Sequence, residues 1–446
     1  MLLCHDQAYA TEGPDVKGSR GRRRQVARRH GLDLKSRRRQ DLARICRDGM
    51  EAFCLDVGLG AFAEAMQAEV EEICGPRGRR MGKGERRYAR YGTAPGSIVI
   101  GARKVAIQRP RVRELGEHGG EVRLEFYEAA RGEGFLEAAV VGALSRGVSQ
   151  RGYGEVARAV APAGREVMGL SASSAGRRFI EATRRAAEAY QKRPIEGEFL
   201  ALFMDGVAFG GYVIVVAVGI RDDGTKMVLG VRQGDTENRA LCQEMLESMV
   251  ARGLGWQGRR MLVVTDGGKG IQAAAKAVFG KALVLQRCRS HRGRNITDKL
   301  PEGEREGVRR QLWRAWMTED AEQAKARLEG LARRLELKGH RDAAASVRDD
   351  LEDTIALNRL GVSPNLARLL GTTNVIESPF ALCKDLTRGR VKRWRHSEQA
   401  ERWAILGLAK AEASFGRFAT AHDLAALAKA LAMPAESHTR PRAPAA

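Results

Sequence analysis

Apolar residues fall at helical spacing near the start of the chain, gather into solid runs in its middle, and return to helical spacing towards the end. From Asp41 to about Cys74, Phe62, Met66 and Val70 recur every four residues with acids between them, which predicts an amphipathic helix. Gly58-Leu59-Gly60-Ala61-Phe62-Ala63 loosely matches a dinucleotide fingerprint. It lacks the acid at the required distance and a βαβ setting, so it reads as a helix entry. Two short strands are predicted at Ser97–Ile100 and Lys104–Gln108, joined by Gly101-Ala102-Arg103. Pro110 is expected to end the second, because proline has no ladder donor. Three helices are predicted between Phe135 and Arg185. The first carries Leu136, Val140 and Leu144; the second starts behind Ser149 as N-cap, carries Tyr153, Val156 and Val160, and closes at Pro162 and Gly164; Ser171 caps the third.

The middle of the chain changes character. Phe199–Met204 is an apolar run ending at Asp205-Gly206, and Tyr212–Ile220 is almost wholly apolar and β-branched, as a central strand should be. Asp222-Asp223-Gly224 is a turn, Lys226–Val231 a third strand and Asn238–Ala251 a helix with Leu241, Met245 and Met249 on one face. Met261–Thr265 is another buried strand, ending at Asp266-Gly267-Gly268; Ile271–Val278 is a helix and Leu283–Leu285 a strand. The predicted order is β-β-β-α-β-α-β, an antiparallel meander followed by α/β units, and the fold class is α/β. From Gly303 to about Leu360 the pattern is helical throughout, with Val308, Leu312 and Trp316, and then Val347, Leu351 and Ile355, spaced by four. Thr372-Thr373-Asn374-Val375-Ile376-Glu377 reads as a capped helix start, and Ser397 to about Phe415 as a last amphipathic helix before a loose tail rich in Ala and Pro.

Charge adds the partner. The 446 residues hold 77 Lys+Arg against 55 Asp+Glu, a formal net charge of +22, which points to a polyanion and so to nucleic acid. Arg22, Arg23, Arg24, Arg28, Arg29, Arg37, Arg38 and Arg39 make residues 1–40 a basic arm, either solvated or laid on a phosphate backbone. Ser173, Ser174, Arg177 and Arg178 open the third predicted helix as the recognition helix of a helix-turn-helix would, with an ordinary helical subdomain as the alternative. Arg388, Arg390, Lys392, Arg393 and Arg395, with Trp394 among them, form a second basic string. No apolar stretch approaches the length needed to span a bilayer, and no secretory signal opens the chain. The 7 cysteines form no CxxC pair, which suits a reducing cytoplasm. No Walker pattern surrounds Gly268-Lys269, so ATP binding is not indicated.

Asp205 and Asp266 each follow a buried strand, at the sheet edge where ligands bind in α/β folds. Crowded carboxylates raise one another's pKa, and a divalent cation removes the conflict. Mg²⁺, with Mn²⁺ as a substitute, suits carboxylates and substrate phosphates, and a pair of such ions can clamp both oxygens of an in-line phosphoryl displacement. Asp235, Glu237 and Glu377 are the candidates for a third acid. Lys269 is placed to touch phosphate. Cys288 and His291 are two of the four ligands a structural zinc needs; Cys242 and Cys383 are the other cysteines available, and without metal the pair reads as structural or as support for the site.

With Asn374-Val375-Ile376-Glu377 the motifs become specific. The chain resembles the Mutator-type bacterial insertion-sequence transposases, a DDE family with a ribonuclease H-like core, over roughly Phe135–Phe415. The resemblance rests on Met204-Asp205-Gly206, the Gly230–Glu237 segment, Val264-Thr265-Asp266-Gly267-Gly268-Lys269-Gly270, Gln286-Arg287-Cys288-Arg289-Ser290-His291, and the Asn374 motif with the basic segment behind it. It implies that Asp205, Asp266 and Glu377 are a catalytic, metal-holding triad, with Cys288, His291 and Asn374 in support. Between the basic arm at 1–40 and the tail at 419–446, both read from composition, the expected organisation is an N-terminal DNA-binding region at 41–190 and, as the resemblance implies, a ribonuclease H-like core at 196–300, an all-helical insertion at 301–365 and core completion at 366–418. The activity implied is cleavage and strand transfer at an element's terminal inverted repeats into target DNA. It would be carried out in the cytoplasm at the nucleoid by a homodimer or larger assembly on DNA, with no membrane involved. A structure-selective nuclease of the same core, or an inactive DNA-binding regulator, are the alternatives.

Overall fold

The computed structural model describes residues 50–78, 86–100, 103–116, 119–132, 134–159, 167–234, 238–256 and 258–433. The 1–40 arm, the Gly101-Ala102 turn, Pro162 and Gly164, and the candidate acids Asp235 and Glu237 lie outside the described residues, as does everything from residue 434 onward. The chain divides into two compact units, Met1–Ala182 and Thr183–Ala446.

In the first unit, helix α1 (Met50–Cys74) packs on an antiparallel sheet of β1 (Tyr88–Ile100) and β2 (Arg103–Glu114). Two short strands, β3 (Glu121–Val122) and β4 (Val167–Met168), pair with opposite ends of β2. The predicted stripe is real: Met66 and Val70 are buried with Ile98, Val112, Leu124 and Tyr127, and Phe62 packs beside them. Both strands of the hairpin outrun the expected lengths, and Pro110 does not end β2. It pairs with Thr93 next to a register shift between Arg90 and Thr93, where Gly92 takes φ 74°. A bulge of this kind relieves the ladder of the donor that proline lacks.

Helices α2 (Glu125–Ala130), α3 (Gly134–Ser145), α4 (Gln150–Ala159) and α5 (Ala172–Lys192) follow. The anticipated caps form: Ser149 Oγ accepts from Gly152 N at 2.9 Å, and Ser171 Oγ from Ser174 N at 3.1 Å.

The second unit is built on a five-stranded sheet in the order β7-β6-β5-β8-β9. Its strands are β5 (Phe199–Phe209), β6 (Tyr212–Arg221), β7 (Lys226–Gly234), β8 (Met261–Thr265) and β9 (Leu283–Arg287). The first three form the anticipated antiparallel meander, and β5, β8 and β9 run parallel. Helices α6 (Arg239–Ala251) and α7 (Lys269–Phe279) cover one face, burying Met245, Leu246, Met249, Ile271 and Phe279 against Met204, Val215 and Val263. Alternation along β5 turns Phe203, Asp205 and Phe209 to the opposite face. There Phe203 meets Phe418 at 5.9 Å and Phe209 meets Phe380 at 5.7 Å, centroid to centroid. β5 does not stop at Met204 as its apolar run suggested. Beyond that residue it loses β8 but keeps its ladder with β6 as far as Phe209↔Tyr212.

Helix α8 (Arg289–Thr297), for which no element was anticipated, follows β9. Helices α9 (Glu302–Trp316), α10 (Ala321–Leu337), α11 (Arg341–Arg348), α12 (Leu351–Thr354), α13 (Ala356–Arg359) and α14 (Pro364–Leu370) come next. Helices α9 to α12 share a core that contains Leu312, Trp316, Leu328, Leu331 and Leu335. Val347, Leu351 and Ile355 all enter this core, but not on one helix. The chain breaks at Asp349-Asp350, whose carboxylates pair with Arg292 and Arg287. Buried Gln286 joins this helical block to the sheet: its Oε1 accepts from Leu357 N at 3.1 Å and its Nε2 donates to Thr354 O at 3.2 Å.

Helices α15 (Asn374–Thr387) and α16 (Ser397–Glu412) complete the Phe203 face. The stretch read as a loose tail begins instead with α17 (Ala421–Leu431), capped by Thr420, because Leu424, Leu427 and Leu431 fall on one buried stripe. No described helix is long and apolar enough to cross a membrane.

Candidate active site

The sheet brings the two aspartates together. Parallel pairing of β5 with β8 ends at Met204↔Thr265, so Asp205 and Asp266 are the next residues on neighbouring strands. Asp205 is buried, and burial, followed by the charge of Asp266, pushes its carboxyl up to about 6. A hydrogen bond from Thr373 and the charge of His291 work in the opposite direction. Asp266 Oδ1 accepts from Gly268 N at 3.0 Å and lies 3.3 Å from Thr265 Oγ1, which fixes the loop at the entry to α7. Gly267 in that loop has φ 108°, and the Arg287 guanidinium fills the space a side chain would need, so only glycine fits.

Glu377 comes from α15, in its first turn. His291 Nε2 and Arg294 Nη2 from α8 each lie 3.6 Å from Glu377 Oε1. Asp205, His291 and Glu377 each present one ligand atom within 4.8 Å of the others, and they are the single such group among the described residues. Asp266 is next to Asp205 by strand register but is not a member of that group.

Thr373 stands at the centre of these contacts and was not singled out from sequence. It is fully buried at the N-cap position of α15, yet its hydroxyl caps nothing. The helix start is closed by its carbonyl, which accepts from Ile376 N at 2.8 Å. The hydroxyl lies 3.4 Å from His291 Nδ1 and 3.6 Å from Cys288 Sγ, and hydrogen-bonds the Asp205 carboxylate. His291 is raised to about 8, chiefly by its hydrogen bond with Cys288; burial opposes this, and the charges of Cys288 and Asp205 add to it. Burial pushes the Cys288 thiol up, but the contacts with His291 outweigh it and the thiol sits below its ordinary range. Neither Cys242, packed in the α6–α7 core, nor Cys383, against Ala404, joins Cys288 and His291 in a metal-binding group among the described residues.

The other candidates differ in exposure and in partners. Lys269 is exposed at the first position of α7, three residues past Asp266. Asn374 is exposed at the start of α15. Ser173 and Arg177 are exposed one turn apart on α5. Arg178 is spent within its own unit, donating to Gly169 O at 2.9 Å and Ser174 Oγ at 2.8 Å. In the loop between α15 and α16, Arg388, Arg390, Lys392, Arg393 and Arg395 are all exposed, while Trp394 folds back onto Phe209 at 5.1 Å and fills the space beside Gly210. Arg388 pairs with Asp385 at 3.1 Å and Arg390 donates to the Leu386 carbonyl, while the aromatic anchor at Trp394 holds Lys392, Arg393 and Arg395 beside them at the surface.

The donor chemistry fits a divalent cation. A carboxylate raised first by burial and then by its neighbour, a second carboxylate in register with it and a third from α15 are hard oxygen ligands whose repulsion a cation offsets.

Comparison with known proteins agrees with the motifs. The family model for transposases of the Mutator family matches residues 33–401. The chain is 27% identical over 327 residues to the transposase for insertion sequence element ISRM5 of Rhizobium meliloti (strain 1021), which covers 70% of this chain and 76% of that protein. It is 27% identical over 235 residues to the transposase for IS905 of Lactococcus lactis subsp. lactis (strain IL1403), covering 50% of this chain and 57% of the relative. It is 28% identical over 174 residues to the transposase for IST2 of Acidithiobacillus ferrooxidans, covering 39% and 57%. For the last two the chain spans little more than half of the relative's length.

Proposed function

Because this chain belongs to the Mutator family of transposases, we propose that it cleaves DNA at the ends of an insertion element and joins them to target DNA by metal-dependent phosphoryl transfer, as a DDE enzyme on a ribonuclease H-like core. The observation that carries the proposal is the strand register that sets Asp205 beside Asp266, with a ligand atom of Glu377, from a distant helix, within 4.8 Å of one of Asp205. In this reading Asp205, Asp266 and Glu377 hold Mg²⁺, or Mn²⁺ in its place. When bound, such ions activate the attacking water or 3′-hydroxyl and neutralise charge on the scissile phosphate.

The protein's own part is placement. Thr373 orients the Asp205 carboxylate, so that the buried acid is held ionised and aimed. Lys269 and the loop carrying Arg388, Arg390, Lys392, Arg393 and Arg395 hold the DNA backbone beside the acids without reading its sequence. Ser173 and Arg177 are the base-reading candidates on α5. The helical block between α8 and α15 is then an insertion that separates Glu377 from the rest of the core. Two ends must be processed together, so the working form is a homodimer or larger assembly on DNA, in the cytoplasm at the nucleoid.

The test is incubation of purified protein with labelled element ends and Mg²⁺, comparing wild type with Glu377→Ala. Strand cutting by wild type alone supports the proposal; equal cutting by both removes Glu377 from the chemistry. Competition between inverted-repeat ends and random DNA separates a transposase from a structure-selective nuclease, which would show no preference. Sedimentation on paired ends that finds monomers alone would refute the assembly.

A further inference from the structure

His291 stands apart from the three acids in one respect: it is the nitrogen member of the ligand group that contains Asp205 and Glu377. Its two ring nitrogens are used differently. Nε2 faces Glu377 Oε1 at 3.6 Å, whereas Nδ1 lies 3.4 Å from the buried Thr373 hydroxyl. A histidine that turns one nitrogen to carboxylates while a neighbouring side chain holds the other has the arrangement of a metal ligand, because the second contact fixes both tautomer and ring orientation. The hydroxyl has one proton, which faces both the Asp205 carboxylate and Cys288 Sγ at 3.6 Å, and its oxygen lies against Nδ1, so one side chain touches both ligands.

Distances fit as well. Ligand atoms about 2.1 Å from a common ion are at most about 4.2 Å apart. The group already lies within 4.8 Å, with Nε2 and Oε1 at 3.6 Å, so closure asks only for side-chain adjustment.

We propose that His291, through Nε2, is a direct ligand of a divalent ion shared with Asp205 and Glu377, making this a mixed oxygen–nitrogen site that favours Mn²⁺ over Mg²⁺. Mg²⁺ takes oxygen ligands almost exclusively and dehydrates reluctantly, whereas imidazole raises affinity for transition ions. The inference rests on the reading of Asp205, Asp266 and Glu377 as metal-holding acids, and assigns a ligand that reading does not contain.

The test uses the full chain, without DNA, and Mn²⁺ alone, followed by electron paramagnetic resonance. Wild type should bind Mn²⁺, and electron spin-echo modulation should show a directly coupled ¹⁴N that becomes a ¹⁵N pattern when the histidines are ¹⁵N-labelled. His291→Asp should keep Mn²⁺, lose the nitrogen coupling and compete better for Mg²⁺. Thr373→Val should keep the coupling but weaken Mn²⁺ binding by about tenfold, with recovery in Thr373→Ser. Mn²⁺ bound with no nitrogen coupling, or with coupling that survives His291→Asp, overturns the inference. If Asp205→Asn still abolishes binding in that case, the metal-holding reading of the acids stands. Binding that Asp205→Asn leaves untouched, or no Mn²⁺ bound by wild type, overturns both. The isotope experiment needs no variant, so misfolding of His291→Asp does not remove the test.

Discussion

Arg287, at the end of β9, is ion-paired with Asp350, the single non-glycine residue among those described with a positive φ, 52°. The guanidinium packs on Gly267, next to Asp266, so this pair links the helical block to the loop that holds a candidate catalytic acid. A left-handed aspartate costs on the order of 1 kcal/mol, and the break it makes parts Val347 from Leu351 while leaving both in the same core. Asp350→Ala leaves the largely buried Arg287 without its nearest carboxylate; Asp349, at 3.7 Å, replaces it only in part. Because Asp350 is itself over a third exposed, the discounted loss is about 1–2 kcal/mol, read as a fall of a few degrees in Tm. An unchanged Tm would show that the pair does not stabilise the break.

Asp205→Asn is expected to abolish cleavage and to stabilise the metal-free protein at neutral pH. Asp205 has its folded pKa raised to about 6. Below about pH 4 the acid is protonated folded and unfolded alike, and there is no penalty. As pH rises from about 4 to 6 the unfolded chain releases its proton first and stability falls; above about 6 the loss is constant, on the order of 2–3 kcal/mol. Denaturant unfolding at pH 8 should therefore favour the variant by up to that amount, with the two proteins alike near pH 4. A variant no more stable at pH 8 than wild type contradicts the raised pKa. The same titration predicts that binding of Mg²⁺ or Mn²⁺ weakens as pH drops below about 6.

Gly267→Ala places a side chain at φ 108° against the Arg287 guanidinium. Strain of about 1–3 kcal/mol follows, and Asp266 is moved off its register with Asp205. Thermal melting should show the loss of stability, and cleavage should fall more steeply than DNA affinity. Equal losses in both would mean that the loop does more for DNA than for the acids.

Lys392→Ala and Arg393→Ala should each reduce the slope of log affinity against log salt by about 0.9 while leaving the fold intact. Trp394→Ala should weaken DNA binding without removing a charge, because the loop loses its anchor on Phe209 and Gly210. Fluorescence anisotropy across a salt series measures all three, and slopes equal to wild type in the two charge variants would exclude the loop from the DNA interface.

Much of the fold was legible because its signals are local. The unbroken apolar runs at Phe199–Met204, Tyr212–Ile220 and Met261–Thr265 allow nothing but interior strands, and Ser149, Ser171 and Asn238 mark helix starts because their side-chain oxygens satisfy neighbouring N–H groups. Asp205 and Asp266 stood out for the same reason, each at a point where a local pattern changes, whereas Glu377 was one of three candidate acids until the resemblance to the Mutator-type transposases singled it out. The positions that escaped depend on partners far along the chain. Pro110 stays within a strand because β1 supplies a bulge opposite, and the helical stripe Val347-Leu351-Ile355 breaks because Arg287 and Arg292 draw in Asp349 and Asp350. Thr373 is one more helix-capping threonine in sequence; folding turns its hydroxyl to Asp205 and His291, from β5 and α8. Periodicity and capping act over a few residues, so they are written in the sequence, whereas the meeting of Asp205, His291, Thr373 and Glu377 depends on strand order and on how α8 and α15 pack, which tertiary structure alone decides.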